Sequence, residues 1–279
     1  MKTFTDRVAV ITGAGSGIGR ALALDLAGRG AHLALFEINE ETLGETVAAC
    51  RDQARSVKGY QVDVSDRKVV HDLADTVLAD FGRVNLVVNN AGVGLMASVE
   101  EMTYEDLDWL VGINWWGVVH GTKAFLPHLI ASGDGHLVNV SSAFGFVSAP
   151  TQSAYNATKF AVRGFTEALR QEMMIAKHKV GVSCVHPGGI RTNIAKTSRA
   201  ADPSQVDKLA SQFAKVTRTS PAGAAKTILN GVRRNHARIL IGADAYLIDA
   251  VPRLLGSAYQ DLNVLGIRHS RYDVMVGGL

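Results

Sequence analysis

Short, nearly continuous apolar runs alternate along the chain with longer stretches whose apolar residues recur at helical spacing. The runs at 8–12, 32–36, 57–61, 86–89, 136–140, 180–185 and 239–241 are bounded by Gly, Asn, Asp or Pro and read as strands. Continuous rather than alternating apolarity suits a parallel sheet covered on both faces. Helical patterns fill the gaps at 17–28, 40–54, 66–81, 107–131, 153–176 and 222–234. Asn39 is placed to cap the second of these, and the long 107–131 pattern is expected to be bent or divided. This alternation predicts an α/β fold: a doubly wound (Rossmann) parallel seven-stranded sheet, helices on both faces, in a single domain with right-handed crossovers.

Two regions break the rhythm. A polar stretch at about 187–220 joins a strand to a helix and has the length of a substrate loop or lid. After residue 242 the chain continues into an extension, 243–279. Its apolar patch (Tyr246, Leu247, Ile248, Val251, Leu254, Leu255) is interrupted by Pro252. That patch is expected to pack on the domain, 1–242, or on a neighbouring subunit.

Composition narrows the classes without choosing among them. The 279 residues are 47% hydrophobic and 20% charged, which excludes wholesale disorder and a coiled coil. A net charge of +3 is too weak to argue for nucleic acid. Cys50 and Cys184 suggest no disulfide framework, and the nine histidines show no metal-ligand spacing, so no metal is expected. No window of about 18 residues stays apolar, and the N-terminus lacks a secretory pattern, so the expected location is cytoplasmic with no membrane partner.

Candidate chemistry begins where the first strand becomes the first helix, at Thr12-Gly13-Ala14-Gly15-Ser16-Gly17-Ile18-Gly19. Glycines let the backbone turn tightly and approach a phosphate, and the N-terminus of the following helix attracts the anion. No Gly-Lys-Ser/Thr follows, which excludes a triphosphatase phosphate loop. A tight strand-to-helix connection would look similar, but its position after the first strand of a long α/β alternation favours a dinucleotide. Glu37 ends the second strand 18 residues beyond Gly19. A carboxylate there can accept from a ribose 2′-OH and repels a 2′-phosphate, and 37–42 contains no Arg or Lys, so NAD is favoured over NADP. Asp63, followed by Val64, reads equally as an acceptor for an adenine amino group or as a turn residue. Asn89-Asn90-Ala91-Gly92 offers small residues at a strand end, where a flat cofactor can lie close, and reads otherwise as a polar turn.

Tyr155 and Lys159 lie four apart near the start of a strong helical pattern and therefore share a face. A free phenol, with a pKa of about 10, is a poor base at neutral pH, and a nearby ammonium should lower that value. Of the six tyrosines only Tyr155 has a lysine at the fourth position. Ser142 follows the fifth strand, where a hydroxyl could bond a substrate oxygen; Ser141 competes for that role. Asn114 sits among bulky apolar neighbours, where its amide could hold a water, kink the helix or pair with nearby backbone.

Taken in order and spacing, these motifs, with Pro187-Gly188-Gly189-Ile190-Arg191-Thr192, resemble the compact branch of the short-chain dehydrogenase/reductase family over about residues 5–242. The resemblance implies Tyr155 as general acid/base and Lys159 as the group that lowers its pKa and binds the nicotinamide ribose. It implies Ser142 as the group orienting the substrate oxygen and Asn114 as holder of a relay water. Gly13, Ser16, Gly17, Ile18, Gly19, Glu37, Asp63, Val64, Asn90, Ala91 and Gly92 would line the cofactor. So would Pro187 and Gly188, with Ile190 and Thr192 meeting the carboxamide. The family commonly carries Asp where this chain has Glu37. Such proteins are often tetramers or dimers formed through the two long helices, so a homo-oligomer is expected.

The residues flanking the expected site are apolar: Leu95 and Met96 in 93–97, and Phe144, Phe146 and Val147 in 144–147. Neither segment contains an Arg or Lys to clamp an anion, which predicts an apolar alcohol or ketone. An S-adenosylmethionine methyltransferase would share the glycine turn but has no use for Tyr155 and Lys159. A non-catalytic nucleotide-binding protein would tolerate their loss. An NADPH reductase on the same fold is the remaining rival.

Overall fold

A computed structural model describes residues 1–269; residues 270–279 of the predicted extension lie outside the described residues. In chain order the first half runs β1 (Val8–Thr12), α1 (Gly17–Gly28), β2 (His32–Glu37), α2 (Glu40–Cys50), β3 (Ser56–Gln61), α3 (Arg67–Phe81), β4 (Leu86–Asn89), β5 (Leu95–Met96) and α4 (Tyr104–Val111). A π-helical turn (Gly112–Trp116) then leads into α5 (Gly117–Ala131) and β6 (Gly135–Val140). The second half holds α6 (Ser153–Ile175), β7 (Val180–Pro187), β8 (Arg199–Ala200), α7 (Val206–Val216), α8 (Pro221–Arg233), β9 (Arg238–Ile241), α9 (Ala243–Leu255) and α10 (Tyr259–His269).

The central sheet has the order β3-β2-β1-β4-β6-β7-β9, with every pairing parallel. All seven predicted strands are present, within two residues at each end. Strands β1, β4 and β6 are buried along their whole length, as continuous apolarity predicts. Strand β3 is different: it forms the sheet edge and is largely exposed, because only β2 covers one of its sides. Two apolar layers fill the faces. One packs Leu22, Leu26, Ile228 and Leu229 of α1 and α8 against β1 and β2; the other packs Val77, Phe125 and Leu169 of α3, α5 and α6.

Local signals explain the helix boundaries. Asn39 accepts from the Thr42 N–H at 2.9 Å and caps α2, which stops at Cys50 rather than running to 54. The divided 107–131 pattern is confirmed: a π-turn centred on Asn114 interrupts it, and the helical path begins earlier, at Tyr104, capped by Thr103. Such turns concentrate at functional sites.

The 187–220 stretch is not featureless. It contributes β8, which pairs with β5 in a second, two-stranded parallel sheet, and it contains α7. Arg199 fastens it further, pairing with Asp106 at 2.9 Å and lying 4.2 Å over the Trp109 ring. In the extension, Pro252 is accommodated inside α9. No helix among the described residues is long and apolar enough to cross a membrane. No group of metal-ligating side chains is found among them either.

Candidate active site

At the carboxyl ends of β1 and β4 the chain connections part, towards β2 and β3 on one side and β6 and β7 on the other. Open α/β sheets bind ligands in the crevice at such a point. Its floor is the glycine turn. Gly13 and Gly17 take φ of +65° and +52°, a region L side chains rarely enter. A side-chain carbon at Gly19 would lie 2.0 Å from the Gly13 carbonyl. Asn90 ties the end of β4 to this turn: its Nδ2 donates to the carbonyls of Thr12 and Gly13 at 3.0 and 3.3 Å. The Thr12 hydroxyl accepts from the N–H groups of Asn90 and Ala91 at 2.9 and 3.0 Å. Ser16 stands at the N-cap of α1 but makes no side-chain capping bond, so the helix start, including Ile18, keeps N–H groups for an outside acceptor.

Glu37 reaches back to this turn. One carboxylate oxygen accepts from the Gly15 N–H at 2.9 Å; the other accepts from Ile38 and Asn39 at 2.9 and 3.2 Å. Asp63 is exposed and serves the turn: one oxygen accepts from the Ser65 N–H and hydroxyl at 2.9 and 2.7 Å. Val64 is buried beside α5, its carbonyl 3.3 Å from His120 Nδ1. Across the crevice, the Thr192 methyl would lie 3.1 Å from a side chain at Gly17, so the segment after β7 closes over the glycine turn. Ile190 buries its side chain in the core, and its carbonyl accepts from the Thr192 N–H at 2.8 Å. The turn from Pro187 through Gly188 is held by Asp244 of α9, which accepts from the Gly189 N–H at 2.6 Å. A side chain at Gly188 would run into that carboxylate.

The helix that carries Tyr155 and Lys159 starts at the mouth of this crevice. Lys159 is buried and donates from Nζ to the Val140 carbonyl at 3.3 Å. Its Nζ lies 5.5 Å from the centre of the Tyr155 ring. A side-chain carbon at Gly92 would stand 3.4 Å from Nζ and 3.2 Å from Asn114 Oδ1, so the glycine opens this corner. The structure separates the two serines. Ser141 is buried and donates to the Lys159 carbonyl at 2.8 Å, whereas the Ser142 hydroxyl accepts from the Phe144 N–H at 3.1 Å and faces the Tyr155 phenol, whose pKa it lowers. Asn114, fully buried, pairs with the backbone instead of lying loose: it accepts from the Val93 N–H at 2.8 Å and donates to the Val93 carbonyl at 2.9 Å.

Electrostatics correct one expectation. Burial pushes the Tyr155 phenol above its ordinary value, and the Ser142 hydrogen bond pulls only part of the way back. Burial also lowers the Lys159 ammonium, to about 8. Desolvation therefore outweighs the lowering of Tyr155 that the helical spacing predicts. The apolar lining is also sorted. Phe144 meets Tyr155 edge-on at 6.4 Å, but Leu95, Phe146 and Val147 are buried. Phe146 stacks on His186 at 4.1 Å, under the guanidinium groups of Arg163 and Arg238.

Some residues of the site left no mark in the sequence. Asn156, next to Tyr155, donates to the carbonyls of Phe144 and Val147 and accepts from the Ala149 N–H, at 3.0 to 3.1 Å. His186 bonds the Ser142 carbonyl. Both are buried polar groups that bond main-chain atoms, a role without a sequence periodicity, although His186 Nε2 is left without a partner.

The residues present fit a dinucleotide: a glycine floor without side chains, a carboxylate beyond it, and an ammonium beside Gly92. Comparison with known proteins agrees. The family profile described as short chain dehydrogenase matches residues 7–203. The chain is 50% identical over 268 residues to SadH of Mycobacterium tuberculosis, a protein described only as an oxidoreductase; the match covers 96% of this chain and 97% of that one. Among solved structures it resembles a short chain dehydrogenase/reductase from Burkholderia phymatum in complex with NAD. The TM-score is 0.85 and the identity 33%, over 93% of this chain and 96% of that one. It also resembles levodione reductase, with a TM-score of 0.77 and 31% identity over 87% and 99% of the two chains.

Proposed function

Because the chain belongs to the short-chain dehydrogenase/reductase family, whose members are oxidoreductases, we propose that it interconverts an apolar secondary alcohol and its ketone with NAD. The observation that carries this reading is buried Lys159 set 5.5 Å from the Tyr155 ring, at the corner opened by Gly92, with the Ser142 hydroxyl facing the phenol. When bound, NAD supplies the hydride-accepting ring and its positive charge. Ser142 and Tyr155 hold the substrate oxygen between two hydroxyls. As the alcohol is oxidised its O–H proton passes to the ionised Tyr155, and its carbon gives up a hydride; reduction of the ketone runs in reverse. Lys159 steadies the negative phenolate and binds the ribose. Asn114, at the π-turn, holds the backbone beside the relay. Holding the partners in contact removes most of the entropic cost of their encounter.

Glu37 supports NAD over NADP, since a 2′-phosphate would meet a carboxylate already fixed by three N–H groups. Met96 and Phe144, both half-buried, support an apolar substrate. A homo-oligomer through the long helices belongs to the same reading, supported by half-exposed Trp116 and exposed Met174 and Ile175. The test is an NADH absorbance screen over secondary alcohols, with ketones in reverse. Turnover of apolar members is expected; no turnover with any member would overturn the reading.

A further inference from the structure

The extension touches both walls of the crevice. On one side Asp244 holds the turn of Gly188 and Gly189. On the other side α9 packs against the short turn Ala143–Gly145, and α10 reaches the segment that follows it. That segment, 146–152, is irregular backbone between Ser142 and Tyr155, so its polar groups need partners from elsewhere. Asn156 supplies them from the inside. From the outside, Tyr259 and Asn263 hold Ser148: its N–H donates to the Tyr259 hydroxyl at 3.1 Å, and its carbonyl accepts from Asn263 Nδ2 at 3.3 Å. Residues four apart share one helix face, so both main-chain groups of Ser148 are held by a single stripe of α10. Tyr259 is buried, although residues 260–266 of α10 are exposed.

The path of the segment is imposed rather than intrinsic. Thr151 takes a φ of +61°, which a β-branched residue adopts only under constraint. Its carbonyl in turn accepts from the Ala97 N–H at 3.0 Å, which links the segment to β5 and through it to β8. The turn that leads into the segment, Ala143–Gly145, carries Phe144, the ring that meets Tyr155 edge-on. Displacing Ser148 therefore displaces the aromatic neighbour of the reacting group.

We propose that Tyr259 and Asn263 are positioning residues for the substrate site, holding 144–149 at the distance that sets which alcohols or ketones fit against Tyr155. The proposal rests on the oxidoreductase reading above. It assigns the extension a part in substrate selection as distinct from cofactor binding, because its contacts on this side reach the Phe144 wall and leave the glycine turn and Glu37 alone.

The test uses the full chain with Tyr259→Phe, which removes one oxygen and keeps the ring, and with Asn263→Ala, an exposed position that should not endanger folding. Amide hydrogen exchange is followed by mass spectrometry. Steady-state kinetics are measured with the best alcohol from the screen and with a bulkier homologue, and NADH binding by fluorescence. In both variants, exchange over 144–152 should accelerate roughly three- to tenfold, as loss of one modest hydrogen bond implies, with β1 and β4 unchanged. KM for the alcohol should rise by a similar factor, and the preference between the two alcohols should narrow, while NADH affinity stays the same. Unchanged exchange over 144–152 in both variants would overturn the proposal. So would faster exchange with unchanged substrate kinetics, or an equal loss of alcohol and NADH affinity. If the unaltered chain oxidises no alcohol, the oxidoreductase reading fails by itself, and the exchange measurement still decides whether α10 holds the segment.

Discussion

His186 of β7 holds the main-chain carbonyl of Ser142 through its Nδ1, at 3.0 Å. A carbonyl only accepts, so the ring carries its proton on Nδ1. The ring is fully buried and stacked on Phe146, and burial lowers its pKa to about 4, so it is neutral at pH 7. One buried imidazole thus fixes the backbone of the residue whose hydroxyl faces Tyr155. Replacing His186 with Leu should lower kcat by about tenfold, since the carbonyl loses its donor and Ser142 its position. His186→Gln retains an N–H donor and should recover part of that loss. NADH binding should be unchanged in both. Steady-state kinetics with a fluorescence titration check this, and equal losses in the two variants would assign the effect to ring packing instead.

Tyr155→Phe deletes the proposed proton carrier and leaves the ring against Phe144. Turnover should fall by about 10²- to 10⁴-fold, the usual worth of general acid–base catalysis, with NADH affinity nearly intact. The phenol sits above its ordinary value, and oxidation needs its ionised form. Alcohol oxidation should therefore climb with pH well past neutrality, and ketone reduction should fall over the same range. Rate profiles in the two directions measure both slopes. A flat oxidation profile would remove Tyr155 as the base.

Much of the fold and the placing of Tyr155 beside Lys159 can be read from residue types alone, because their physics is local. Continuous apolar runs mark buried parallel strands, glycines mark the turn that admits no side chain, and a four-residue interval puts Tyr155 and Lys159 on one face. The illegible parts depend on distant segments meeting. Strands β5 and β8 are two residues each, and Leu95-Met96 and Arg199-Ala200 carry no pattern that would pair them. Asn156 and His186 act through main-chain groups, whose identity the sequence does not encode. Phe146 looked like a substrate-facing aromatic, but two guanidinium groups and an imidazole hold it in the interior. The Tyr155 shift is opposite in sign to the one its spacing from Lys159 predicts for a related reason: spacing reports a neighbouring charge, whereas burial depends on the whole fold.

The proposed role of Glu37 in cofactor choice is tied to the shape of the glycine turn, since the same carboxylate accepts from Gly15. NADH should bind at least about tenfold more tightly than NADPH, the usual scale of one misplaced charge contact. Glu37→Gln should narrow that gap by relieving repulsion of a 2′-phosphate, and should weaken NADH binding modestly by loosening the turn. Paired fluorescence titrations read both effects. Tighter NADPH binding by the unaltered chain would refute the role assigned to Glu37.

Two buried imidazoles make the fold acid-sensitive in a defined window. His136 is fully buried; its Nε2 lies 2.8 Å from the Ser183 hydroxyl, which itself donates to the His236 carbonyl at 2.6 Å. The serine proton is therefore committed, Nε2 must be the donor, and Nδ1 remains an unprotonated buried acceptor without a partner. Burial lowers His136 to about 3 and His186 to about 4, against 6.5 for an unhindered imidazole. The unfolded chain thus binds protons that the folded chain refuses, and stability falls as pH drops below about 6.5 toward those lower values. Each group should cost on the order of 2 kcal/mol by pH 5. Denaturant unfolding at pH 7, 6 and 5 should show this loss, and His136→Asn, which keeps an amide donor for Ser183, should flatten the slope by close to one proton. An unchanged slope in that variant would mean that His136 is protonated in the folded state, and that Ser183 or a neighbouring carbonyl reorganises to receive it.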